Sequence, residues 1–267
     1  LIDKLRYTQH IQDIELQQIA VKVIDQVNSV IDKHIIRTTD FLTPYHGKAI
    51  INILVGIKGI NYIFNGGYDG AERRVITIFP DYMEAESINV PIAPIEVVGS
   101  AHFNKCTHRD YLGAILGLGI KREKLGDILV HDDGSNQQVC QIIIKEDLKD
   151  YILFNLDQVG NCRVNTKEIT YNDILVPRLD YKEYSGNVSS LRLDAVLGSA
   201  YNLSRSVAQS IINKELVSVN WEIIKKSGYE IKCDDVISVR GKGRVYITEV
   251  GGRTRSDRIK LSFKKPL

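Results

Sequence analysis

From Ile11 to Ile36 apolar residues recur at helical spacing, and Thr43 followed by Pro44 offers an N-cap and a first-turn proline, so a helical pair is expected to open the chain. Ile57 to Phe64 and Arg74 to Phe79 then read as strands, separated by Asn65-Gly66-Gly67-Tyr68-Asp69-Gly70, residues that tolerate positive φ. A longer succession follows. Ile95 to Phe103 reads as a strand, Arg109 to Leu118 as a helix, and Asp127 to His131 and Val139 to Ile144 as strands around the turn Asp132-Asp133-Gly134-Ser135. Glu146 to Val159 reads as a second helix and Arg163 to Ile169 as a closing strand. The order βαββαβ predicts a ferredoxin-like, RRM-like sandwich. Further on, Leu193, Val196, Leu197 and Ala200 fall on one face of a short helix. Asn202 or Ser204 can cap a second helix that buries Val207, Ala208, Ile211 and Ile212. Val217, Val219, Trp221 and Ile223 alternate with polar neighbours, and more strands are expected at Tyr229 to Cys233, Val236 to Arg240 and Val245 to Val250. The fold class is α+β and multidomain. Residues 1–80 are expected to form a helical pair with a β-hairpin, 81–170 the ferredoxin-like domain, 171–188 a linker, and 189–267 a C-terminal domain of two small helices on strands with a basic C-terminal extension.

Composition changes this picture only regionally. The 267 residues are 43% hydrophobic and 25% charged, an ordinary globular balance with room for more than one core. A formal net charge of +2 excludes a uniform polycation. The charge is unevenly placed: residues 81–170 carry 9 basic against 14 acidic groups, a net of −5, whereas 186–267 carry 15 against 8, a net of +7. That excess lies in Arg240, Lys242, Arg244, Arg253, Arg255, Arg258, Lys260, Lys264 and Lys265, opposed only by Glu249 and Asp257. Such an end suits a phosphate backbone, whose neutralisation releases counterions. No apolar stretch approaches the roughly 20 residues of a bilayer span. Cys106, Cys140, Cys162 and Cys233 are far apart and read as reduced thiols, so the expected location is the cytoplasm, without membrane insertion.

Several motifs invite chemistry that their context denies. The Gly-rich loop at 65–70 has no Gly-Lys-Ser/Thr triplet opening a helix, which a phosphate-binding Walker loop requires. His108-Arg109-Asp110 spells the start of a kinase catalytic loop, but Ile115 stands where the metal-binding Asn belongs. His102, His108 and His131 match no zinc spacing, and Gly117-Leu118-Gly119 reads as a helix C-cap. The strands at 95–98 and 139–142 lack the aromatics on which an RNA-recognition motif stacks bases, so the acidic middle domain is expected to dock a protein or touch RNA through loops. Arg178-Leu179-Asp180 mimics a catalytic run of some pseudouridine synthases, yet Pro177 precedes it and Tyr181-Lys182-Glu183 follows. No catalytic residue, metal or cofactor is assigned. An RNA-modifying enzyme and a protein-docking adaptor stay as alternatives to RNA binding.

The strongest pattern is near the C-terminus. The apolar positions of the two small helices claim the core, which leaves Arg192 and Arg205 on the exposed side, and the helix start at Ser204 and Ser206 presents backbone N–H groups to an anion. Lys214, Asn220, Lys225, Lys226, Arg240, Lys242 and Arg244 complete the candidate RNA-binding set. Arg192-Leu193-Asp194, Leu203-Ser204-Arg205-Ser206-Val207-Ala208, Ile211-Ile212, Val217-Ser218-Val219-Asn220 and Asp235-Val236-Ile237 together resemble the S-four RNA-binding domain, of the αL type. Glu215, Trp221 and Asp234 stand where that family often has glycine. The whole chain resembles the YlmH family, through Thr39-Asp40-Phe41-Leu42, Gly66-Gly67-Tyr68-Asp69-Gly70-Ala71-Glu72-Arg73, His108-Arg109-Asp110-Tyr111-Leu112-Gly113-Ala114 and Lys124-Leu125-Gly126-Asp127-Ile128. The resemblance implies a bacterial cytoplasmic protein without enzymatic activity. It implies structured RNA as partner, rRNA or tRNA on the large ribosomal subunit during rescue or quality control of stalled ribosomes, and a link to cell division.

Overall fold

A short helix α1 (Lys4–Thr8) leads into α2 (Ile14–Lys33), whose N-cap Asp13 accepts from the Leu16 amide at 3.1 Å. The computed structural model describes residues 2–100, 105–131, 137–177 and 180–266, and of Ser100 only the backbone. Phe103, His102, the turn at 132–135, and Arg178-Leu179 lie outside these residues. The chain separates into two units at Pro177 and Arg178.

In the first unit, β1 (Arg37–Thr38) precedes α3 (Pro44–Leu54). Thr43 caps α3 by accepting from the His46 amide at 3.2 Å, with Pro44 in the first turn, where a missing N–H leaves no bond unmade. The strands β2 (Ile60–Asn65) and β3 (Val75–Pro80) pair antiparallel, and β1 joins the other side of β3. Every residue of β3 is buried. Ile76 and Ile78 meet Val23, Ile24 and Ile50 of the covering helices, while Val75 packs with Phe41, Ile92 and Ile143 on the opposite face.

The middle segment then runs β4 (Ile92–Ser100), α4 (His108–Gly117), β5 (Leu125–His131), β6 (Gln137–Lys145), α5 (Lys149–Asn155), a two-residue β7 (Gln158–Val159), and β8 (Cys162–Glu168). Its antiparallel sheet has the order β5-β6-β4-β8-β7, the split βαβ arrangement that the periodicity predicts. Successive β6 residues serve two layers. Ile142 and Ile144 face the core that holds Tyr111, Ile115 and Ile152 of α4 and α5, and Ile143 faces β3 and Phe41. The layers approach so closely at Gly126 that a Cβ there would lie 2.8 Å from the Phe41 ring. The expected helix from 146 to 159 is shorter than its pattern, because Gln158 and Val159 pair with Arg163 and Cys162 and break it off.

The second unit begins with β9 (Tyr181–Val188), followed by α6 (Leu193–Tyr201), α7 (Arg205–Asn213), β10 (Val217–Val219), β11 (Glu222–Ile223), β12 (Val236–Val239), β13 (Gly243–Arg253) and β14 (Ile259–Pro266). They form one sheet of order β11-β10-β12-β13-β14-β9, with α6 and α7 burying Leu193, Val196, Leu197, Ala208 and Ile212 on one face. Three expectations differ from this. Residues 181–188, read within a linker, are the edge strand paired along β14. The basic end, read as an extension of the C-terminal domain, is the long hairpin β13–β14 within its sheet. Tyr229 to Cys233 is not a strand: Ile231 donates to the Leu191 carbonyl and the Tyr229 carbonyl accepts from Leu193, so this segment closes off the start of α6 instead of joining the sheet.

Candidate nucleic-acid interface

Asp194 organises the helical face of the second unit. Its side chain is 0% exposed and lies in the first turn of α6. Arg192 donates to both carboxylate oxygens, through Nε at 3.1 Å and Nη2 at 2.9 Å. Arg205 approaches the same carboxylate with Nε at 3.5 Å, and Gln209 donates at 3.4 Å. The bonded Arg192 guanidinium holds the Asp194 carboxyl below the usual carboxylate range, against the opposing effect of burial. Two cations share one anion, yet the arginine side chains remain 43% and 70% exposed. Both are therefore drawn to the buried carboxylate while part of each side chain stays in solvent.

Beside them, Ser204 caps α7 by accepting from the Val207 amide at 3.3 Å, and its hydroxyl lies 3.0 Å from that of Ser206. The first-turn amides of Arg205 and Ser206 have no intrahelical acceptor, by the geometry of any helix start. The amides of Leu193 and Asp194 at the start of α6 are differently placed, since the carbonyls of Tyr229 and Ser227 accept from them. The start of α7, with Arg205 beside it, thus carries the free amides and partial positive charge that suit an anion.

The remaining predicted residues fall elsewhere. Lys214 ends α7, about 14 Å from its start at 1.5 Å per residue. Arg240 lies near it, donating its amide to Leu216, with Lys242 in the same β12–β13 turn. Lys225 is paired with Glu215 at 2.8 Å, and Lys226 is exposed. Asn220 is exposed, but its side-chain amide is committed to the fold, donating to Asp235 at 2.8 Å and accepting from the Val236 amide at 2.9 Å. Arg244 sits on the sheet face away from the helices, its guanidinium 5.5 Å from the Trp221 ring centroid. One compact group, Arg192, Ser204, Arg205 and Ser206, is brought together; the others surround or lie behind it. The three positions where glycine is the familiar residue, Glu215, Trp221 and Asp234, have φ of 57°, 68° and 67°, so the left-handed turns persist without glycine.

The sequence motifs of the first unit meet at Asp127. Its carboxylate accepts from the Tyr68 hydroxyl at 2.7 Å and from the Glu72 and Arg73 amides at 2.7 and 3.1 Å. Arg73 continues the network by donating to the carbonyls of Leu125 at 2.8 Å and Phe41 at 3.0 Å. Burial pulls its guanidinium down to about 10, with nearby Arg122 acting in the same direction. Lys124 pairs with Asp40 at 2.6 Å. Thus the segments at 39–42, 66–73 and 124–128 form one structural joint, a role visible in sequence only as polar residues inside otherwise apolar segments. His108-Arg109-Asp110 starts α4 in a capping box, where Asp110 accepts from the Thr107 amide and hydroxyl, both at 2.7 Å. Gly119 follows α4 at φ 82° as a C-terminal cap. Among the described residues, no group of three or more His, Cys, Asp or Glu side chains could hold a metal ion, and no helix is long and apolar enough to cross a membrane.

Comparison with known proteins matches three segments of the chain. Residues 15–83 match the family model described as "YlmH, N-terminal", 86–173 that described as "Putative RNA-binding domain in YlmH", and 191–237 the S4 domain. The chain is 33% identical over 234 residues to the Bacillus subtilis protein named "Ribosome-associated protein quality control protein P2", covering 88% of this chain and 89% of that one. A solved structure named "Cell division protein ylmH from Streptococcus pneumoniae" is similar with a TM-score of 0.50 and 26% identity, over 61% of this chain and 96% of that one. The chain belongs to the YlmH family.

Proposed function

We propose that this protein is a non-enzymatic RNA-binding factor that recognises structured RNA, rRNA or ribosome-bound tRNA, on the large ribosomal subunit during quality control of stalled ribosomes. The observation that carries the reading is the convergence of Arg192 and Arg205 on the buried Asp194 beside the open start of α7, with both side chains still partly exposed. A paired A-form helix hides its base edges in a narrow groove and offers phosphates and 2′-hydroxyls, which suit such fixed, forked donors. The S4 match and the name of the Bacillus relative support the ribosomal setting.

The test is a salt titration of the full chain on purified large subunits and on duplex rRNA fragments. Arg205→Glu, a change at an exposed side chain, is expected to weaken binding at least tenfold and to flatten the salt dependence by roughly one unit of slope for each phosphate no longer neutralised. Arg192→Gln should weaken binding less, because part of that side chain serves Asp194. Unchanged affinity and slope in Arg205→Glu would overturn the proposal.

A further inference from the structure

At its β9 edge the six-stranded sheet interleaves lysines with aromatic rings. Register places Phe263 opposite Tyr184, Lys265 opposite Lys182, and Pro266 opposite Tyr181. On the helix-bearing face, the Tyr184 and Phe263 rings stack with centroids 5.7 Å apart and planes at 13°. Lys265 Nζ lies 5.2 Å from the Tyr184 centroid and 5.3 Å from that of Tyr201, and Lys182 Nζ lies 5.8 Å from Tyr184. On the opposite face, Lys264 Nζ is 4.4 Å from the Tyr181 ring, which meets Tyr246 edge-on at 5.5 Å. Tyr184 is 38% exposed.

We propose that this edge is a second RNA contact that takes unpaired nucleotides, with Tyr184 as the stacking platform and Lys182 and Lys265 meeting the phosphates. It rests on the reading of the chain as RNA-binding but not on the helical face. A solvent-exposed ring covered by an ammonium group exchanges that partner readily: the arriving base stacks on the ring, and the displaced lysine pairs with the phosphate that the base carries. An acidic peptide would engage the lysines and leave the rings unused. A continuous duplex keeps its base faces stacked and has none to offer along its length. The matched S4 segment, 191–237, includes Tyr201 but none of the proposed contact residues Tyr184, Lys182 and Lys265.

The experiment measures binding of the full chain to a short single-stranded oligouridylate and to a blunt RNA duplex. Tyr184→Leu is expected to weaken oligouridylate binding on the order of tenfold while duplex binding holds, and Tyr184→Phe, which keeps the ring, should restore it. Lys182→Gln with Lys265→Gln should reduce the salt slope on the single strand by roughly 0.7 for each phosphate no longer neutralised. Arg205→Glu should show the reverse preference, losing duplex and keeping oligouridylate. Should Tyr184→Leu fail to fold, the paired lysine variant decides by the same two probes. Unchanged oligouridylate binding in the edge variants, or equal weakening on both probes, overturns the proposal. If the edge variants lose only their association with intact large subunits, the edge is a protein contact and the proposal falls. Loss of oligouridylate in Tyr184→Leu, together with unchanged duplex binding in Arg205→Glu, would sink the helical-face reading and leave this one standing.

Discussion

Replacing Asp127 by Asn tests the joint of the first unit with almost no change of shape. The carboxylate receives three donors: the Tyr68 hydroxyl and Glu72 amide at one oxygen, and the Arg73 amide at the other. An asparagine has one acceptor oxygen and one NH2 group. Turned one way, its NH2 faces the Arg73 amide; turned the other way, it faces the Glu72 amide, and although the Tyr68 hydroxyl can reverse to accept, a backbone N–H cannot. One backbone donor is therefore orphaned in either orientation, at a cost of about 1–3 kcal/mol. Asp127→Ala orphans all three donors and should cost on the order of 3–6 kcal/mol, a large share of the roughly 5–15 kcal/mol that holds a typical domain. Tyr68→Phe removes a donor but leaves both amides bonded. The assay is urea unfolding combined with hydrogen exchange at the 72 and 73 amides. Exchange should accelerate in Asp127→Asn at one of the two, in Asp127→Ala at both, and in Tyr68→Phe at neither. If Asn and Ala destabilise equally, or if both amides keep their protection in Asp127→Ala, the carboxylate does not fasten the joint.

Other expectations are as direct. Asp194 has a folded pKa below its unfolded value, so its contribution to stability is present above the ordinary carboxylate value of about 3.9 and is lost as pH falls through the lower folded value. Unfolding of the second unit, followed through the emission of Trp221, the only tryptophan, should show a loss of stability below about pH 4 that is absent in Asp194→Asn. Glu215→Gly should stabilise by roughly 0.5–1 kcal/mol in thermal melts, since relief of a left-handed φ outweighs an exposed pair with Lys225. Trp221→Gly should change stability by less than about 1 kcal/mol, because relief of φ at 68° is offset by removal of the ring that Arg244 covers. A loss well beyond that would show that the indole packs more than it strains.

The legible parts of the fold are those where burial writes a period into the chain. Ile142 to Ile144, Val217 with Val219, and the apolar face of α6 are placed by their spacing, and Thr43-Pro44 by cap chemistry, whereas Val207 of α7 is exposed and the alternation expected to run on to Trp221 and Ile223 is broken by the left-handed turn at Asn220 and Trp221. Strand β9 is not, because seven of its eight residues are exposed or half-buried and an edge strand needs no apolar alternation. Tyr229 to Cys233 misleads for the opposite reason: its apolar residues pack against the core of the second unit, but its backbone bonds go to the start of α6. Backbone partners of that kind leave no mark in a hydrophobic pattern.

The candidate site divides along the same line. Residue types and spacing place Arg192 and Arg205 outward, but they do not say what a buried aspartate between them does. Asp194 holds Arg192 through two hydrogen bonds and draws Arg205 toward the same carboxylate, and the site keeps a surplus positive charge because one carboxylate cannot neutralise both. Because both side chains still reach water, that surplus is presented to solvent and is not cancelled inside the fold. In sequence the motif reads only as an ordinary Arg-Leu-Asp run, and three-dimensional geometry alone distinguishes an aspartate that cancels a binding charge from one that aims it. The short Arg192 bonds and the longer Arg205 approach favour the second, so that in the proposed interface Arg192 is chiefly the anchor and Arg205 chiefly the contact.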